Sequence, residues 1–264
     1  MSGAAASILP DFDMTMFIIS ISLCSLLGFF SYMKKILDLK GTVLAVVVGM
    51  LLIGYSDFFW FLLMVFFFTI TYLVTIWKYK KKSALGLGEG GRGERGIKNV
   101  IANGIVPVAI AIFSTPLNNL SDGLPGFLFI VAIAVSTSDT FASEIGVMSK
   151  YPRMITKPSL VVDPGVDGGV SLLGNIAAFF GGLLVSVSGY FLITDYFIST
   201  EPHLLGTSIW IIIIPVILGW LGCQVDSVLG ATLQRRGVLT NNLVNFVTVL
   251  ICVVATTPFF IILS

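Results

Sequence analysis

Charged residues are scarce in this chain: only 11% of its 264 residues are Asp, Glu, Lys or Arg. A soluble globular domain carries about a quarter. Hydrophobic residues make up 56% of the sequence. This composition excludes an ordinary soluble domain and predicts an integral membrane protein that crosses the bilayer several times.

Histidine and cysteine are equally scarce. The one histidine, His203, argues against a histidine-based metal site or catalytic dyad. The three cysteines, Cys24, Cys223 and Cys252, lie in apolar stretches without metal-like spacing, so they indicate neither zinc nor a disulfide framework. No basic segment precedes the first apolar run, and no cleaved signal peptide is expected.

The apolar runs predict an all-α fold, a polytopic membrane helix bundle of about eight (seven to eight) transmembrane helices. A spanning helix needs about 20 mostly apolar residues. The predicted spans are 14–31, 42–55, 58–77, 98–115, 126–140, 170–193, 207–222 and 243–263. The second is short, and the fifth has no breaker before about Ser149. We expect a single integral membrane domain over residues 1–264.

The distribution of Lys and Arg predicts the orientation of this bundle. With eight spans, all 15 of these residues fall in alternate loops. The opposite loops contain Asp and Glu but no Lys or Arg. Basic loops face the cytoplasm, so both termini should lie outside. Three cytoplasmic segments carry the polar motifs: 78–98, 141–169 and 223–242. The cell membrane is the expected location.

Residues 136–171 concentrate polar groups in an otherwise apolar chain. Asp139 and Ser143 share one helical face at the end of the fifth span, as do Thr140 and Glu144 one step around. A carboxylate at membrane depth normally lines a cavity or pathway, the alternative being a structural ion pair with a neighbouring Arg. These residues favour a polar site at the cytoplasmic end of the fifth span.

A glycine-rich turn, Asp-Pro-Gly-Val-Asp-Gly-Gly-Val-Ser over residues 163–171, leads into the sixth span. Such a turn exposes backbone N–H groups, and a helix that begins there offers its positive end to phosphate. A plain tight turn is the alternative. Glycines within the sixth span predict close helix packing. Together with the neighbouring carboxylates, the turn predicts a membrane-embedded site for nucleotide and metal chemistry.

A second polar cluster follows the seventh span. Asp226, Gly230 and Gln234 are spaced four apart and therefore lie on one helical stripe. Arg235 and Arg236 follow, and the planar fork of arginine suits phosphate, although paired arginines also mark topology. The cluster predicts a second helix end that delivers Asp226 to the same metal.

The loop 78–98 combines lysines, glycines and arginines. Lys78, Lys80, Lys81 and Lys82 beside a span usually mark orientation and contact anionic lipid. The glycine-rich part could act as a lid that brings Arg92 or Arg95 onto phosphate, or as a flexible linker. Asn99 and Asn103 share a helical face at the start of the next span, where they suit a polar site or helix-to-helix hydrogen bonds.

Three motifs in these stretches carry a family resemblance: DTFASEIG, KP with DPGVDGGVSLLGNIAA, and GCQVDSVLGATLQ with NNLVNF. The chain resembles the family of transmembrane protein 19 and the plant phytyl-phosphate kinase over nearly its whole length. Val166 stands where that family is expected to have threonine. The family is distantly similar to dolichol kinases and CDP-diacylglycerol synthases, whose Ser-Pro-Lys-Lys-Thr signature this sequence lacks.

The resemblance implies a Mg²⁺-dependent kinase that phosphorylates a prenyl monophosphate, such as phytyl or geranylgeranyl phosphate, with CTP as the donor. Positioning and charge neutralisation dominate phosphoryl transfer. The metal ligands are then Asp139, Glu144, Asp167 and Asp226. The phosphate-binding set is Gly165, Gly168, Gly169 and Ser171, with Thr140, Ser143, Arg92, Arg95, Asn99 and Asn103 near the nucleotide. Lys157, Arg235 and Arg236 would neutralise the transferred or acceptor phosphate.

The expected partners are therefore a nucleoside triphosphate, a prenyl phosphate drawn from the bilayer and membrane lipids, with no nucleic acid and no oligomeric state indicated. Two other functions fit the same residues. A cytidylyltransferase would use the same substrates to make a CDP-lipid. A transporter or flippase would use the carboxylates to carry cations, but its site is expected near the midplane, whereas these acids cluster at one face.

Overall fold

The computed structural model describes residues 14–88, 90–91, 93–194 and 208–263. These ranges form helices α1 (Met14–Met33), α2 (Leu39–Tyr55), α3 (Phe58–Ile76), α4 (Tyr79–Ala84), α5 (Ile97–Ile112), α6 (Ser114–Asn118), α7 (Leu124–Gly146), α8 (Leu172–Gly189), α9 (Ser208–Leu229) and α10 (Asn241–Leu263). Two π-helical turns, Tyr190–Thr194 and Gly230–Gln234, continue α8 and α9. His203 and Arg92 lie outside the described residues.

The predicted all-α membrane bundle is confirmed. In the part of the chain described, five helices are long and apolar enough to cross a membrane: α3, α7, α8, α9 with its π turn, and α10. The other three predicted spans correspond to shorter apolar helices, α1, α2 and α5. The count of eight spans and the outward termini stay predictions.

Helix α7 is the centre of the bundle. Every residue from Leu124 to Ser138 is buried, because α3, α5, α8, α9 and α10 all pack around it. It runs past residue 140, as the absence of a breaker before about Ser149 allowed, and stops at Gly146. The last two turns leave this packed core, so Asp139 and Glu144 reach a more open region at the end of the bundle.

Glycines allow α8 and α9 to approach α7 closely. A Cβ atom at Gly181 would lie 2.9 Å from Cγ of Phe141, and one at Gly219 would lie 2.4 Å from Oγ of Ser138. Real Cβ atoms do not approach heavy atoms that closely, so larger residues would push the helices apart. The prediction that the sixth-span glycines serve helix packing is confirmed.

A small antiparallel sheet lies between α7 and α8. Its strands are β1 (Arg153–Met154), β2 (Lys157–Val161) and β3 (Gly169–Val170), in the order β2-β1-β3. The sequence predicted no strands in this loop. The sheet fixes both ends of the glycine-rich turn, since β2 precedes it and β3 ends it.

Candidate functional site

A cavity of about 270 Å³ lies where the ends of α7 and α9 meet the start of α8. Residues 163–169 of the glycine-rich turn form another wall, and Leu87 from the loop before α5 and Asn241 at the start of α10 complete it. Nine predicted site residues line this cavity: Asp139, Ser143, Glu144, Gly165, Asp167, Gly168, Gly169, Ser171 and Asp226. The structure therefore brings together motifs that are up to 87 positions apart in the chain.

Three carboxylates give the cavity its negative character. Asp139 comes from α7, Asp226 from α9 and Asp167 from the glycine-rich turn. The Asp226 carboxylate lies close enough to those of Asp139 and Asp167 to be repelled by both. Among the described residues, no Lys or Arg lines the cavity. Asp139 and Asp226 are partly buried there, whereas Asp167 is exposed. Partly buried acids without a neighbouring cation are costly and favour a bound cation.

The fourth carboxylate, Glu144, is already paired. It lines the cavity, but its Oε2 accepts a hydrogen bond and ion pair from Nζ of Lys82. Glu144 thus forms a structural ion pair, the alternative that the sequence left open, but its partner is Lys82 and not the expected Arg. Within the described ranges, no three Asp, Glu, His or Cys side chains converge into a ready-made metal cluster.

The orientation of Asp226 depends on α10. In the amide orientation that satisfies both of its hydrogen bonds, the side-chain nitrogen of Asn245 donates to Oδ2 of Asp226 (3.2 Å) and to the Asn241 carbonyl (2.8 Å). The predicted stripe of Asp226, Gly230 and Gln234 is confirmed, since all three face the cavity. Its last two residues lie on the π turn, a feature often found at functional sites.

Glycine is required at two positions of the glycine-rich turn. Gly165 and Gly168 have φ values of +82° and +78°, a region that other residues rarely adopt. Gly168 also packs on the π turn, where an added Cβ would lie 2.4 Å from Cβ of Ala231 and 2.8 Å from its Cα. The turn therefore docks its backbone directly onto the end of α9.

Ser171 begins α8 at the cavity wall. Its Oγ accepts a hydrogen bond from the Gly174 backbone N–H (3.0 Å), which makes it the N-cap of an 18-residue helix. The positive end of the helix dipole thus points at the cavity, where an anion such as phosphate is stabilised.

Amide side chains complete the lining. Oδ1 of Asn175 accepts hydrogen bonds from Nε2 of Gln224 (2.7 Å) and from Nε1 of Trp220 (3.0 Å). Asn175 and Gln224 line the cavity, whereas the Trp220 ring is exposed on the outside of the bundle. Sequence reasoning did not single out Gln224, although it lies two residues before Asp226.

Several predicted residues lie outside the cavity. Oγ1 of Thr140 donates to the Ser136 carbonyl, and the Asn103 amide donates to the Asn99 carbonyl, so these groups serve their own helices. Arg95 is buried and donates to Oγ1 of Thr71 and of Thr75 on α3. This position removes Arg95 from the predicted phosphate-binding set.

The predicted phosphate-neutralising cations lie beyond the cavity wall. Lys157 is exposed on β2. Arg235 and Arg236 are exposed directly after the π turn, and Nη1 of Arg235 lies 3.9 Å from Sδ of Met154. These cations therefore sit outside the acid cavity, on the same end of the bundle.

The chain is similar in sequence to several known proteins. The chain is 31% identical to the uncharacterized membrane protein MJ0933 of Methanocaldococcus jannaschii over 234 residues, which cover 88% of this chain and 90% of that one. It is 29% identical to Protein PGR of Arabidopsis thaliana, covering 89% and 92%. Protein VTE6, chloroplastic, of the same plant is 30% identical over 135 residues, half of this chain and 40% of VTE6.

No solved structure matches this chain. The profile of the integral membrane protein family DUF92 matches residues 22–253, which include every lining residue of the cavity. The resemblance carried by the three motifs is thereby confirmed at the level of the family. The chain is a member of the DUF92 family of integral membrane proteins.

Proposed function

We propose that the protein is a membrane kinase that transfers a phosphoryl group from a nucleoside triphosphate, with CTP as the donor, to a prenyl monophosphate. The observation that carries this proposal is the composition of the cavity, in which the Asp139 and Asp226 carboxylates meet a glycine-rich turn that contributes Asp167 and a helix N-terminus, with no Lys or Arg among the described lining residues. The acids suit a divalent cation, and the turn and helix suit phosphate.

Mg²⁺ fits the donor set. It is usually held by one or two carboxylates, with waters and substrate phosphates completing its six ligands, so a cluster of three protein acids is not needed. Asp139 and Asp226 are the proposed ligands, with Asp167 on the opposite wall. When bound, the ion would neutralise charge on the transferred phosphoryl group. Glu144 is not included, because Lys82 holds it.

The glycine-rich turn and the start of α8 are the proposed site for the nucleotide phosphates. The N-terminus of α8 at Ser171 offers a positive potential at the cavity wall, and the glycine-rich turn brings its backbone to the same wall. A monophosphate acceptor is already ionised and needs no strong general base. Phosphoryl transfer then depends on holding the two phosphates in line, which a rigid turn achieves.

The acceptor lipid is proposed to enter from the bilayer between α8 and α9. Here the exposed Trp220 ring is linked through Asn175 to the polar cavity, so an apolar surface and a phosphate-sized polar site are adjacent. A prenyl phosphate has this same division between an apolar tail and a charged head. The family resemblance to the phytyl-phosphate kinase and the match to VTE6 support this class of acceptor.

Replacing Trp220 by alanine should raise the KM for the prenyl phosphate about tenfold, the loss expected for one aromatic contact, and leave the KM for the nucleotide unchanged. Steady-state kinetics with geranylgeranyl phosphate in detergent would measure both constants. Trp210→Ala is the matched control, because Trp210 is exposed on the same helix but lies ten positions before Trp220, which donates to the lining residue Asn175. Equal effects of the two variants would contradict entry at Trp220.

The function itself is tested with purified protein, Mg²⁺, γ-labelled CTP and geranylgeranyl phosphate. The expected products are labelled geranylgeranyl diphosphate and CDP. A CDP-lipid with release of pyrophosphate would replace the kinase by a cytidylyltransferase. If neither product forms, also with ATP or phytyl phosphate, the proposed kinase is wrong and transport becomes the function to test.

A further inference from the structure

Lys82 is a buried cation in a loop that otherwise carries exposed lysines. Its side chain is 1% exposed, and its Nζ donates to the carbonyls of Val74 (3.0 Å) and Thr75 (2.6 Å) at the end of α3. The third donor reaches Glu144 on the cavity wall. All three ammonium hydrogens are therefore used, which is the condition for burying a lysine.

The loop containing Lys82 is held on α3 at both ends. Arg95, near its other end, donates to Oγ1 of Thr71 and Thr75 (both 2.9 Å). Thr75 thus accepts a hydrogen bond from Lys82 at its carbonyl and from Arg95 at its hydroxyl. Lys82 and Arg95 therefore converge on one turn of α3, which fixes α4 and Arg95 relative to that helix.

The same loop touches the glycine-rich turn. The Leu87 N–H donates to the Lys82 carbonyl (2.9 Å), which fixes Leu87 relative to Lys82. The Leu87 side chain lines the cavity and lies against Gly165, where an added Cβ would be 2.3 Å from Cδ2 of Leu87. Residues 82–88 therefore contact α7 through Glu144 and the turn through Leu87.

We propose that residues 82–88 form a strap of the active site and that Lys82 is its positioning residue, holding the glycine-rich turn in place through the Glu144 ion pair and Leu87. The strap's effect on turnover rests on the proposed kinase function, whereas its effect on the turn does not. Lys82 touches no substrate in this proposal. It acts by fixing the wall on which the nucleotide phosphates are positioned.

Breaking the pair has two consequences for the cavity. Lys82→Met leaves the Glu144 carboxylate without a cation, beside three other acids that line the same cavity. Removing one partner of a buried ion pair is strongly destabilising, because the remaining charge is uncompensated. The substitution also frees α4 from α3, so Leu87 loses its fixed position against Gly165. The turn should then open more often, because local opening is governed by the contacts that hold a segment.

Hydrogen exchange of the purified protein in detergent tests the strap without any substrate. In Lys82→Met, backbone amides of residues 163–169 should exchange at least about tenfold faster, while those in the middle of α8 stay unchanged. Glu144→Gln removes the charge of the pair but leaves the bonds from Lys82 to the Val74 and Thr75 carbonyls, so it should accelerate exchange of the same residues by a smaller factor. The double variant should match Lys82→Met alone, because Lys82→Met already removes the pair. Lys81→Met, which removes an exposed neighbouring charge, is the control and should match wild type.

Faster exchange confined to residues 78–88 would overturn the proposal, as would additive effects in the double variant. In turnover assays, Lys82→Met should lower kcat/KM for the nucleotide roughly 100-fold, as expected for misplaced phosphates, with KM for the prenyl phosphate unchanged. Unchanged nucleotide kinetics in a protein with a loosened turn would also overturn it. If the wild type makes no phosphorylated product, the proposed function falls and the exchange data alone decide the strap.

Discussion

Replacing Asp139 or Asp226 by asparagine is expected to abolish phosphoryl transfer while the helix bundle stays folded. Each substitution keeps the shape of the side chain and removes one negative charge from a group of mutually repelling carboxylates. A metal contributes several kcal/mol to charge stabilisation, and each 1.36 kcal/mol is tenfold in rate, so turnover should fall by about 10³-fold.

Thermal unfolding separates a lost metal site from a damaged fold. Without divalent cations, both variants should unfold at the wild-type temperature or above it, because repulsion among the carboxylates is reduced. Added Mg²⁺ should raise the wild-type Tm progressively with the logarithm of its concentration above Kd and should have little effect on either variant.

Asp163→Asn is the matched control for these two variants. Asp163 lies in the same glycine-rich turn, is exposed and does not line the cavity. This variant should keep both its activity and its response to Mg²⁺. Wild-type turnover in Asp139→Asn or Asp226→Asn would remove the site as proposed.

The cavity residues that could be predicted are those whose side chains are unusual in a membrane-spanning segment. Asp139 and Asp226 are acids within otherwise apolar helices, and such residues are too costly to lie there without a role. Gly165 and Gly168 could be recognised because they belong to a glycine-rich turn directly before a predicted helix. The sequence gives no distances between these residues. It does place their motifs at the same end of several helices, and helix ends on one side of a bundle lie close enough to form one site.

The side chains that form ion pairs and hydrogen bonds around the cavity could not be predicted in the same way. Lys82 is one of four lysines in a five-residue stretch, and nothing local distinguishes the buried one from its exposed neighbours. Its burial depends on Glu144, 62 positions later in the chain. Asn175 and Gln224 likewise find each other only when α8 and α9 pack together.

The helices themselves were predicted well because hydrocarbon-like segments have few alternatives in a bilayer. The ends of the elements were less predictable. Helix α7 ends at Gly146, between the two ends that the sequence allowed, residue 140 and about Ser149, since Ala142 and Ile145 do not break a helix. The three short strands were missed because β1 and β3 have two residues each, too few for an alternating pattern to be recognised.

Gly168→Ala is the second substitution with a large expected effect. A Cβ atom at this position would lie within 2.9 Å of the Cβ, Cα and N atoms of Ala231, and backbone atoms cannot move aside as a flexible side chain can. The glycine-rich turn must then lift off the π turn that follows α9. Because a misplacement of about 1 Å can cost 10²-fold in rate, we expect turnover to fall roughly 100-fold.

Gly237→Ala provides the control that separates docking from backbone strain. Gly237 has nearly the same φ, +72° against +78° for Gly168, but an added Cβ there meets nothing within 4 Å. Both alanines should cost about 1–2 kcal/mol of local strain and lower Tm slightly. Only Gly168→Ala should lose activity and the Mg²⁺-dependent binding of nucleotide, measured by calorimetry. Equal activity in the two variants would mean that contact between the turn and Ala231 does not build the site.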